Sequence, residues 1–141
     1  MKRPFSDKRI IGPLSQRVGG GDATDKEYYQ EQFSQRMVSA TKHGVQDPIE
    51  EIEYFVDTIK DIPWKDFTAE QRVAIATPAI SAIKTVFQVS AEQGQIEERM
   101  VSNITSKFSM LLFDYVSGAE PQGLVESGLG LIKMNIRGDL D

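Results

Sequence analysis

Cysteine is absent from the 141 residues, and histidine and tryptophan occur once each. Without thiols there is no disulfide framework, no thiolate zinc site and no cysteine nucleophile. A lone imidazole, His43, cannot build a multi-histidine metal site. No stretch approaches the ~18 uncharged apolar residues that a membrane helix needs. The first 25 residues lack the apolar core of a signal peptide. Phosphate-binding signatures are missing too. Gly19-Gly20-Gly21 is not followed by Lys-Ser/Thr, and Gly128-Leu129-Gly130 is too short for a dinucleotide glycine pattern. No Asp-rich calcium loop and no repeat of 20–50 residues occurs.

What is present is a chain of 15.8 kDa, long enough for one domain, with 40% hydrophobic and 26% charged residues. The net charge of −5 is unevenly spread. Residues 1–24 carry five basic and two acidic groups, and the remainder carries a net charge of −8. A basic arm therefore precedes an acidic body. A broad nucleic-acid surface is disfavoured, because a folded DNA-binding domain is ordinarily basic on one face.

The arm resists regular structure through Pro4, Pro13, Gly12 and the hinge Gly19–Gly21. It nevertheless carries Phe5, Ile10, Ile11, Leu14 and Val18, side chains that gain by burial. Extended, its 24 residues reach up to ~80 Å, far beyond a body whose expected radius of gyration is ~14 Å.

Helical periodicity dominates the middle. Thr24-x-x-Glu27 fits a capping box, Tyr29, Phe33, Met37 and Ala40 share a face, and Gly44 is a stop, giving a helix over about 25–43. His43 then falls in a last turn, where it complements the helix dipole. Asp47-Pro48 starts a second helix, about 48–60, with Ile49, Ile52, Phe55, Val56 and Ile59 as its stripe. Glu50, Glu51 and Glu53, like Glu97 and Glu98, read as solvated helix faces and not as acid/base pairs. Trp64 follows a break at Pro63 and reads as an anchor. Thr68 and Gln71 cap a third segment, expected to run over 69–76, break at Thr77-Pro78 and restart over 78–93. Gly94 either ends that helix or sits inside a longer one. A last helix over 95–117 carries Ile96, Met100, Val101, Ile104, Phe108, Leu111, Leu112 and Tyr115. Its stretch 108–116 is apolar nearly all round, which predicts burial on more than one face. A helix-turn-helix would need helices two and three, but their loop of about eight residues is too long and Arg72 is the lone cation of 69–76.

Beyond residue 117, five glycines and Pro121 make a long helix unexpected, yet Leu129, Leu131, Ile132, Met134 and Ile136 are strongly apolar. Residues 131–137 read either as a strand seeking another chain's sheet edge or as a tail folding back on its own helices.

The expected fold is therefore all-α: a compact bundle of about four helices over 25–117, an extended basic arm over 1–24 and a glycine-punctuated apolar arm over 118–141. The candidate partner-contacting residues are Lys2, Arg3, Phe5, Lys8, Arg9, Ile10, Ile11 and Leu14 in the first arm, and Leu129, Leu131, Ile132, Met134 and Ile136 in the second. No catalytic, cofactor or metal residue is expected. The functional expectation is a structural subunit of a large oligomer, docking its arms on neighbouring protein copies and not on a membrane. In architecture this is similar to small helical phage virion parts, such as head–tail connector rings or capsid-associated proteins, which would place it in a virion or host cytoplasm. The alternative is a DNA-handling or packaging adaptor whose basic arm contacts phosphate.

Overall fold

The computed structural model describes residues 23–119 and 123–138. Among the described residues five helices follow one another: α1 (Ala23–His43), α2 (Pro48–Asp61), α3 (Ala69–Glu92), α4 (Glu98–Ser117) and α5 (Gly123–Arg137), with a 3₁₀ turn at Trp64–Asp66. No strand occurs among the described residues.

The starts and stops are local chemistry. The Asp47 side chain accepts from the Ile49 amide at 2.9 Å, and Pro48 occupies the first turn of α2, where its missing N–H is no loss. Thr68 and Gln71 form a reciprocal capping box on α3, at 3.1 and 2.9 Å. Gly44, at φ +80°, closes α1 by donating to Ala40 O at 2.9 Å. Gly94, at φ +81°, lies in the turn that separates α3 from α4.

The expected break at Thr77-Pro78 is absent; α3 runs through it. A proline inside a helix removes the amide that should reach the carbonyl four residues back. Here that carbonyl is Ala74 O, and the Gln30 side chain on α1 donates to it at 3.0 Å. The orphaned acceptor is satisfied from another helix. Gln30→Ala is expected to cost about 1–2 kcal/mol in urea denaturation, the penalty for a part-buried unpaired carbonyl. Gln30→Glu, which cannot donate, should cost at least as much.

α3 is the central helix, packed between α1 and α4. By length and composition it could cross a membrane, but Ile75, Ala79, Ala82, Ile83, Val86 and Phe87 are buried inside the bundle, as expected of a core helix. Across this layer lies Phe55 of α2. Its ring centre is 6.3 Å from Phe33 on α1, 6.2 Å from Phe87 on α3 and 6.0 Å from Phe108 on α4.

The C-terminal segment corrects the strand expectation. Residues 131–137 are the last turns of α5, packed against α4 and α2. Val125 and Leu129 are buried, and Ile132 and Ile136 pack partly against the same core. Each fully buried aliphatic side chain is worth about 2 kcal/mol, more than the cost of glycine in a helix. A Cβ at Gly128 would lie 3.2 Å from Lys107 Cε of α4, near the far end of a flexible side chain. The Lys133–Glu53 and Lys60–Glu126 pairs, at 3.2 and 3.4 Å, join α5 to α2 on the exposed surface and add at most about 1 kcal/mol each.

Candidate functional site

The N-terminal sequence enters the bundle at one particular end. The ring of Tyr29, near the start of α1, meets Phe67 edge-on with centroids 6.2 Å apart. Arg72, near the start of α3, donates from Nε to Val116 O at 3.0 Å, close to the end of α4. Its Nη1 reaches Phe67 O at 2.8 Å and Trp64 O at 3.4 Å. One guanidinium thus ties the α2–α3 connection to the end of α4.

Beside it, Trp64 stacks on Tyr115 with centroids 5.5 Å apart and planes 15° from parallel. The indole donates to Ile59 O at 2.8 Å, so this anchor is satisfied and only 4% exposed. A hollow of about 210 Å³ opens here, between the Ile62–Asp66 segment and the Arg72, Tyr115 and Gly118–Ala119 side. Its wall is mostly apolar and its rim carries Lys65 and Asp66. Asp25 and Asp61 lie near Tyr29. Burial, then Tyr28 and these two carboxylates, raises the Tyr29 phenol above its ordinary pKa. The phenol therefore stays neutral at pH 7.

The described surface also exposes apolar side chains. Tyr28, Val73 and Met110 are about half exposed and Phe113 is 70% exposed. Two of these correct the expectation for 108–116: Phe108, Leu111 and Leu112 are buried, but Met110 and Phe113 face outward. The apolar encirclement of that stretch reflects one face for the core and another left open.

Of the sequence-derived contact residues, Lys2, Arg3, Phe5, Lys8, Arg9, Ile10, Ile11 and Leu14 lie outside the described residues. Leu129 is 2% exposed and belongs to this chain's own core. Leu131 is about half exposed; Ile132, Met134 and Ile136 are partly buried. Sequence reading missed Tyr28, Val73, Met110 and Phe113. Their signal was an apolar residue on the polar side of an otherwise regular stripe.

Some of the acidic residues are paired within the chain. Glu51 accepts from Arg36 Nε and Nη2 at 2.8 and 3.2 Å, and the same guanidinium lies 4.0 Å from the centre of the Tyr54 ring. Glu97 pairs with Arg99 at 2.6 Å. Among the described residues, no three His, Asp or Glu side chains converge to hold a metal. No protein-family model, curated protein or solved structure matches the chain.

Proposed function

We propose that this chain is an assembly subunit, a helical bundle that joins copies of itself or neighbouring proteins through its N-terminal arm. The observation that supports it is the coincidence at one end of the bundle. The 22 residues preceding α1 carry Phe5, Ile10, Ile11 and Leu14 among basic groups. They depart from the end that holds the Trp64–Tyr115 hollow, exposed Tyr28 and Val73, and the carboxylates Asp25, Asp61 and Asp66. A basic, apolar segment suits an apolar surface that has carboxylates near it. A ring or shell component of a virion, such as a head–tail connector or a capsid-associated protein, is the setting we favour. The chain acts there without catalysis of its own.

Light scattering of the full chain across concentration and salt tests this. A discrete oligomer is expected. Removal of residues 1–20 should lower the mass to that of a smaller species while the helical circular dichroism stays within about 10% of the full chain. Loss of the helical signal on truncation would mean that the arm belongs to its own core. The positive charge of the arm supports the second reading, contact with DNA phosphate. An unchanged mass on truncation, with loss of a DNA affinity that falls steeply with salt, would favour that reading instead.

A further inference from the structure

We propose that the hollow beside Trp64 and Tyr115 holds this chain's own Gly12-Pro13-Leu14 while the protein is unassembled. The hollow measures about 210 Å³ and is walled in part by Pro63, Trp64, Tyr115 and Ala119. An apolar cavity of ~150 Å³ accepts a benzene-sized guest, so this one has room for a proline ring or a leucine side chain. Grooves walled by aromatic rings recognise extended segments that carry proline, because proline fixes its own φ and docking then costs little entropy. Pro13 stands in the arm between Gly12 and Leu14. Pro4 is followed by the larger Phe5 and lies about twice as far along the chain from Ala23.

The chain's own arm is the occupant because of where the arm begins. α1 and α3 start at the same end of the bundle: Gln30 reaches Ala74 O, and Tyr29 meets Phe67 at 6.2 Å. Phe67 adjoins Asp66 on the rim of the hollow. Ala23 stands six residues before Tyr29, a helical rise of ~9 Å, so the arm doubles back over roughly 20 Å to reach the hollow. The nine residue steps from Leu14 to Ala23 span up to ~30 Å. They include Gly19-Gly20-Gly21, whose backbone accepts the reversal. So short a link holds the segment at an effective concentration of about a millimolar, which a neighbouring copy has to exceed. Charge acts in the same sense. Arg9 and Arg17 flank the docked residues, Asp66 lies on the rim and Asp61 just before it, with Lys65 opposing them in part. The proposal concerns the single chain and so goes beyond the assembly reading: an arm held by its own bundle is withheld from neighbours until they outcompete it.

The cysteine-free sequence supplies the test. In the full chain at micromolar concentration, Ser15→Cys with Ala119→Cys is expected to close an intrachain disulfide about tenfold faster than Ser15→Cys with His43→Cys, which stands at the far end of α1. Ala119 and His43 are both exposed, so the circular dichroism of these variants should match the parent. Adding Leu14→Lys to the first pair should slow closure about tenfold, the factor for losing one buried leucine. A first pair no faster than the control would overturn the proposal, as would closure that Leu14→Lys leaves unchanged. A covalent dimer in place of the intrachain bond would overturn it too, and would give the hollow to a neighbour's arm. Light scattering keeps this contact and the assembly reading apart. Rapid intrachain closure in a chain that stays monomeric at every concentration upholds the contact and removes the assembly reading; a discrete oligomer without closure does the reverse.

Discussion

Phe55→Ala is expected to lower the unfolding free energy by about 4 kcal/mol, measured by urea denaturation followed by circular dichroism. The ring is fully buried and lies within 6.3 Å, centre to centre, of rings from three other helices. Truncation removes transfer energy and also opens a cavity that four helices cannot all collapse into. The stabilities of ordinary domains are about 5–15 kcal/mol, so the loss takes a large share of the total. Phe55→Leu keeps most of the volume and should cost about 1–1.5 kcal/mol. A loss below about 1 kcal/mol for the alanine variant would show that α2 is not packed across the α1–α3–α4 layer.

Gly44→Ala is expected to cost about 3 kcal/mol in the same measurement, from two separable sources. The first is the left-handed backbone at φ +80°, which a side chain raises by about 1 kcal/mol. The second is a collision: the added Cβ would press on Gln93 Oε1. That amide is the clamp between the α1–α2 and α3–α4 turns. It accepts from the Val45 amide at 3.0 Å and donates to Val45 O at 2.7 Å. Gln95 adds bonds to Val45 O and Gln46 O at 2.9 and 3.0 Å. Displacing Gln93 leaves the part-buried Val45 N–H without its acceptor, a loss of about 1–3 kcal/mol. Gly94→Ala is the internal control. It has nearly the same φ, +81°, and open space around the position, so only the backbone cost of about 1 kcal/mol should appear. Equal losses for the two variants would rule out the clamp.

The legible parts of this protein are those that a few consecutive residues decide. Asp47-Pro48 and the Thr68/Gln71 pair act on amides within their own first turn, so the sequence predicts the starts of α2 and α3 correctly. The stripes of α2 and α4 name Ile52, Phe55, Ile59, Ile104 and Phe108 as core, and all five are buried. Trp64 is the expected anchor, held by the carbonyl at the end of the helix before it. The candidate contact surface was less legible. Met110 and Phe113 sit within an apolar run, and periodicity cannot say which side of such a run has no neighbour.

The tertiary structure decided the rest. Pro78 is a helix breaker by its own chemistry; it does not break α3 because Gln30, 44 residues distant from Ala74, supplies the missing donor. The glycines of 123–137 argue against a helix locally, yet α5 forms because Val125 and Leu129 are buried by α2 and α4. Gly44 reads as a helix stop from sequence, but its intolerance of a Cβ comes from Gln93, 49 residues away. Sequence alone determined the helices of the middle of the chain, the caps of α2 and α3 and most of the core, because those depend on contacts within one or two turns. Continuity through proline, the fate of the glycine-rich segment and the open face of α4 depend on groups brought together only by folding. Each is settled by a donor, a buried surface or an empty space that no local pattern contains.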